Sequence, residues 1–260
     1  LIATRKELPL ILGTAKQHFD EDMQRAQDIR IHAVALPDGR LKDDLFRSSW
    51  MTAVGASDAF FCDAYADLVS RTLRAKDHQP DGDLQDKLNN LKVPVIAVLN
   101  TTNGWRWRMA AREIIEKENV LSIKQIKDLL NIFCREGSKL LTQDTVEAWI
   151  LHAEMRQRLF GINQPQYNQL QGAAKNKAKK LALEHLGRRM QSIFQRRHDC
   201  IHNCDRPKYA IQAITEDKTR KAIEDVAFLV NRCTDDLRAE YPQYLISRGF
   251  SGATRNYVGA

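Results

Sequence analysis

Apolar residues recur along this chain at helical rather than strand-like spacing. Between positions 41 and 76, Leu45, Trp50, Val54, Phe60, Phe61, Tyr65, Leu68 and Leu73 follow one another mostly at three to seven positions, an apolar stripe along one helix face. Gly55 and the small residues Ala53, Ala56, Ser57 and Ala59 interrupt the stripe where another helix can come close. Residues 15–34 predict a more polar helix with Phe19, Met23, Ile29 and Ile31 as its apolar points, and Pro37-Asp38-Gly39 predicts the turn that follows. Pro9 and Gly13 keep the first fourteen residues from being one helix.

Past the turn at Pro80-Asp81-Gly82, a helix is expected over 83–91. The apolar run 93–99 is ambiguous by periodicity; it is read as helical after Pro94, because no second strand candidate exists to pair with it. Residues 105–118 restart a helix. Ser122 with Gln125 has capping-box form and opens a helix whose face is Ile123, Ile126, Leu129, Leu130 and Phe133, ended by Gly137. A further helix is expected over 142–160, with Val146, Trp149, Ile150 and Leu159 inward.

After a break at 161–165 the pattern is helical again from Gln166, with Leu181, Leu186, Met190, Ile193, Phe194 and Ile201 as the stripe and Pro207 as its stop. Residues 215–237 predict the last long helix, and the glycine-bearing tail from Tyr241 reads as irregular. The class is all-α, a helical bundle divided into an N-terminal helical extension (1–40), a helical domain (41–240) and a C-terminal tail (241–260).

Composition narrows the picture. A chain of 260 residues with 43% hydrophobic side chains can bury one large core or two modest ones. Its longest apolar runs are too short to span a bilayer, so no membrane partner is expected. Cys62, Cys134, Cys200, Cys204 and Cys233 are odd in number and scattered, and no secretory signal precedes them; reduced thiols in the cytoplasm are the expectation. The first residue is Leu rather than Met, which suits a fragment or a processed product, and leaves room for an upstream regulatory domain.

The formal charge of +7 is concentrated: residues 171–208 hold ten Lys or Arg against three acids. Lys175, Lys177, Lys179 and Lys180 form either a solvated face or a surface that tracks a nucleic-acid backbone, with Arg189 and Arg196 as further candidate RNA contacts. Trp105 and Trp107, interleaved with Arg106, Arg108 and Arg112, suit base stacking or packing at a helix junction. No glycine-rich phosphate loop, dinucleotide fingerprint or internal repeat is present, and no cofactor is implied.

The stretch with the most chemistry is Arg196-Arg197-His198-Asp199-Cys200-Ile201-His202-Asn203. Cutting RNA by transesterification needs a base for the 2′-hydroxyl proton, an acid for the leaving 5′-oxygen and a cation for the charge on the phosphoryl oxygens. Histidine suits both proton roles, since its ordinary pKa of about 6.5 lies near working pH. Arginine suits the third, with a planar fork and a charge it does not lose. His198 and His202 are four apart and share a helix face, and the long Arg197 side chain is one step from them. Asp199 is a candidate for orienting an imidazole or pairing with Arg196. A metal reading exists, because His198, Cys200, His202 and Cys204 fall within seven residues; on a helix Cys200 faces away from the histidines, and no metal is expected.

Arg197-x4-His202, with polar His198 after the arginine and Asn203 after the second histidine, resembles the signature of the HEPN superfamily of helical ribonucleases. The surroundings are similar too: an earlier helix rich in Ala, Asp and aromatics (50–73), then Ile123-Lys124-Gln125-Ile126-Lys127-Asp128-Leu129-Leu130, then the motif and one closing helix. The likeness runs over residues 40–238 and is nearest to the stand-alone branch tied to bacterial stress and phage defence. It implies a homodimer with the motif helices facing each other, metal-independent endoribonuclease activity, Arg197, His202 and His198 as the catalytic set, and an antitoxin or regulatory domain as a partner. A non-catalytic RNA- or protein-binding module on the same frame is the alternative.

Overall fold

A computed structural model gives the fold; it describes residues 10–90, 92, 108, 111, 112, 115, 120–206 and 209–260. The expectations for residues 1–9, for 93–99 and for Trp105 and Trp107 fall outside these. Among the described residues every regular element is helical: α1 (Gly13–Val34), α2 (Arg40–His78), α3 (Asp86–Asn89), α4 (Ile123–Leu130), α5 (Gln143–Ile150), α6 (Gln157–Phe160), α7 (Gln164–Asn168), α8 (Gly172–Asn203), α9 (Glu216–Ser247) and α10 (Gly252–Val258). Short 3₁₀ turns follow α4 at Asn131–Phe133 and Glu136–Ser138. The all-α class holds.

The long α2 is the centre. α1 lies along it, α9 packs on both, α8 lies against α2 and α9, and α5 and α6 cover the other flank of α8. α1 packs along the small-residue stretch read from the sequence: Ala53 and Ala56 are buried, Phe19 meets Phe60 at 5.7 Å beyond it, and Ser49 Oγ donates to the Ala26 carbonyl at 2.7 Å one turn before it. Aromatic rings fill the middle edge-on, with Phe133 meeting Tyr65, Tyr241 and Tyr244 at centroid distances of 6.0, 6.3 and 6.2 Å.

Of the boundaries that differ from the sequence reading, three bear on the core. Residues 1–40 were expected to be an extension, but α1 buries Ala15, Phe19, Met23, Ala26 and Ala33 in the common core. The helix expected over 142–160 is two, α5 and α6, separated at 151–156; Thr142 caps the first through the Thr145 N–H at 3.4 Å. The third difference is the tail, which is helical. α9 runs on through Pro242 to Ser247, because Tyr241, Tyr244 and Leu245 continue its buried stripe. Burying three large side chains outweighs the roughly 3 kcal/mol that an interior proline costs a helix. α10 then folds back on α2: Arg71 Nη1 donates to the Val258 carbonyl at 2.6 Å, and His78 stacks on Tyr257 at 4.4 Å.

Candidate active site at the end of α8

α8 ends by a local mechanism. Cys204 and Asp205 both take left-handed backbone angles (φ 49° and 59°), and the Asp205 N–H closes back on the Asp199 carbonyl at 2.9 Å, a Schellman-type stop. The turn drops the Asp205 side chain under the helix, fully buried, where its Oδ2 accepts from Arg196 Nη2 at 2.9 Å and from Arg47 Nε of α2 at 2.7 Å. Trp50 lies against the same guanidinium, 5.2 Å from its ring centroid, and donates its indole N–H to the Ile193 carbonyl at 3.1 Å. The motif is thus carried on a helix end fixed to α2 by two arginines, a carboxylate and an indole.

His198 and His202 project from this end into solvent with ring centroids 4.4 Å apart. The i, i+4 spacing delivers what it promised, two imidazoles side by side. Arg197 lies elsewhere. Each residue turns a helix by about 100°, so Arg197 leaves about 100° before His198 and about 140° from His202. It is half-buried and lies on the α2 side, where its charge bears on the Asp58 carboxylate. Asp58 accepts the Val120 N–H at 2.9 Å; burial pushes its carboxyl above the usual range, while that N–H and Arg197 pull it down. The helix end therefore presents an exposed imidazole pair on one side and, on another, a half-buried cation whose charge reaches Asp58 of α2.

Sequence reasoning passed over Asp58. Its signal was there: a carboxylate in the small and apolar run from Ala53 to Phe61, four residues before Cys62. Asp199 was weighed as a partner of an imidazole or of Arg196, and it is neither. Its carboxylate accepts from Gln195 Nε2 at 3.0 Å and Gln212 Nε2 at 3.3 Å.

The basic residues expected to face RNA divide. Arg196, 9% exposed, spends its charge on Asp205 inside the fold, which corrects its assignment as a surface contact. Arg189 is half-buried and bonded to the buried Asp225 at 2.7 Å, alongside Arg158 at 2.8 Å. Lys175 and Lys179 hold Glu147 of α5 at 2.6 and 3.0 Å and pull its carboxyl down to about 2, so both lysines clamp α8 to its neighbour. Lys180 is exposed and, like Lys177, has no carboxylate partner among the described residues.

Burial pushes the Cys200 thiol up to about 11 and the Cys62 thiol up to about 12, which keeps both protonated and poor ligands or nucleophiles. Among the described residues no group of three or more His, Cys, Asp and Glu is gathered as a metal site would need, and no helix is long and apolar enough to cross a membrane. The chain matches no protein-family model, no curated protein and no solved structure.

Proposed function

We propose that this protein is a metal-independent endoribonuclease of HEPN type, acting as a toxin or antiphage effector. The observation that carries the reading is the exposed imidazole pair at 4.4 Å; Arg197, one residue before it on the same helix end, is the cation nearest in sequence. One imidazole takes the proton from the 2′-hydroxyl as its oxygen bonds to phosphorus. The other gives a proton to the 5′-oxygen as the P–O bond breaks, leaving a 2′,3′-cyclic phosphate and a free 5′-hydroxyl. Arg197 neutralises the charge gathering on the phosphoryl oxygens, and the Asp58 carboxylate is the acidic group whose charge bears on that arginine. His202 is the principal proton carrier and His198 its assistant, from the same protomer or from a second copy across a two-fold axis, as the family resemblance implies.

The test is His202→Ala, assayed on RNA in EDTA. His202 is exposed, so the fold should be untouched and gel-shift affinity retained, while cleavage falls about 10²- to 10⁴-fold. Cleavage at the wild-type rate would sink the reading and leave a binding module. Expression of wild type beside Arg197→Ala gives a second check, since a nuclease slows growth through that residue and a scaffold does not.

A further inference from the structure

The last turns of α8 carry two features on one stripe. Gln195, His198, Asp199 and His202 recur at i, i+3, i+4 and i+7, which sets them along the same side of the helix. The histidines face solvent. Gln195 and Asp199 border a cleft of about 580 Å³ between α8 and the chain that enters α9, a size that takes a small organic ligand or one residue of a polymer.

Among the cleft's lining residues Trp50, 5% exposed, and Arg196, 9% exposed, are both buried, and the Arg196 guanidinium covers the indole. Asp199, 7% exposed and also lining the cleft, binds the carboxamides of Gln195 and Gln212 and so fixes how each is turned. One N–H of each amide is used; its oxygen and its second N–H are left over, and among the described residues neither oxygen has a partner. Two oriented amides, each with an acceptor beside a donor, are complementary to a nucleobase edge. Lys221 is tied to Asp217 at 2.6 Å, while among the described residues Lys218 Nζ reaches only the Ala213 carbonyl, at 3.4 Å, and keeps its charge for an anion. The cleft thus offers an amide pair for a base and an ammonium for a phosphate.

We infer that this cleft seats a nucleotide of single-stranded RNA beside the imidazole pair, its base edge against Gln195 and Gln212 and its phosphate toward Lys218. Single strands are the form whose base edges are free to enter such a site. That the seated nucleotide adjoins the cut linkage rests on the nuclease reading above; the recognition of a base does not.

Calorimetric titration of the four nucleoside 3′-monophosphates into His202→Ala protein tests the inference, followed by competition against a labelled single-stranded RNA of mixed sequence. One base should bind about tenfold tighter than the others, the factor that one hydrogen-bonded edge supplies. Gln212→Ala and, separately, Gln195→Ala should level the four, with thermal melting checked for each. Lys218→Ala should weaken all four alike. Equal binding of the four, no binding by any, or a preference unmoved by both glutamine variants overturns the inference. So does a nucleotide that binds without displacing the RNA. If wild-type protein leaves RNA intact while the base preference persists, the nuclease reading fails and the cleft stands. If wild type and Gln212→Ala cut the same positions at the same rate, the cleft fails and the nuclease stands.

Discussion

Arg196 and Asp205 form an ion pair beneath the end of α8, Nη2 to Oδ2 at 2.9 Å, with Asp205 wholly removed from solvent. A buried carboxylate is stable as an ion only when its charge is matched, and here Arg47 of α2 supplies a second bond at 2.7 Å. One acidic side chain therefore joins the helix that carries the imidazoles to the helix at the centre of the bundle. Asp205→Asn keeps a residue type that tolerates the left-handed backbone at φ 59° and removes only the charge. It leaves the buried Arg196 without its anion and Arg47 with Asp44 alone, at 3.1 Å. The expected cost is ~3 kcal/mol by urea unfolding, with hydrogen exchange rising first in the last turns of α8. A change within experimental error would mean that the pair does not anchor the helix end.

Asp58 and Arg197 give a prediction in which stability and activity move in opposite directions. Burial is the largest influence on Asp58 and raises its carboxyl above the ordinary value of 3.8, against the Val120 N–H and the Arg197 charge. The folded state then binds the proton more tightly than the unfolded chain. Stability falls as pH rises from the unfolded value through the folded one, and stays at the lower level above it. Asp58→Asn keeps an oxygen for the Val120 N–H and removes the buried charge, so it should be more stable than wild type at neutral pH and should lose that advantage in acid. On the nuclease reading the same variant removes the negative charge that bears on Arg197, and kcat/KM for RNA should fall about ten- to a hundredfold. A variant that is both less stable at neutral pH and fully active would contradict each half.

The long helices were legible in the sequence because their apolar stripes are local information. The stripe of α2 and the capping box at Ser122, whose hydroxyl accepts the Gln125 N–H at 3.1 Å, both appear where the pattern put them. What misled was what lies elsewhere in the chain. Pro242 is an ordinary stop signal, overridden because Tyr241, Tyr244 and Leu245 find a core already built by α2 and the turn at Phe133. The glycines of the tail do not reveal that Arg71, far upstream, donates to the Val258 carbonyl at the end of α10.

The two consecutive arginines make the same point at the site. The stripe Leu186, Met190, Ile193 continues to Arg197 at helical spacing, so periodicity alone would bury that residue and leave Arg196 outside. Arg196 is the more buried because a left-handed turn brings Asp205 under it and α2 brings Trp50 against it. Neither is a property of the helix itself. The imidazole pair, by contrast, needed only the four-residue spacing.

Glu147 sets how much positive charge α8 shows to an anionic ligand. Lys175 at 2.6 Å and Lys179 at 3.0 Å hold its carboxyl down at about 2, below the ordinary 4.5. Because the folded value is depressed, the clamp's contribution is complete above about 4.5 and is lost as pH falls toward about 2. Wild type should lose stability through that acid window faster than Glu147→Gln. At neutral pH the difference should be small, no more than about 1 kcal/mol for pairs this near the surface. The larger consequence is for binding. Glu147→Gln frees Lys175 and leaves Lys179 with Asp144 alone, at 3.3 Å, on the face that also bears the exposed Lys180. If that face tracks a phosphate backbone, the variant should bind single-stranded RNA more tightly at low salt, with the slope of log K against log salt steeper by about 0.7 for each lysine that gains a phosphate. Fluorescence anisotropy over a salt series measures this directly. Equal slopes for the two proteins would assign Lys175 and Lys179 to holding α5 on α8 and to nothing more.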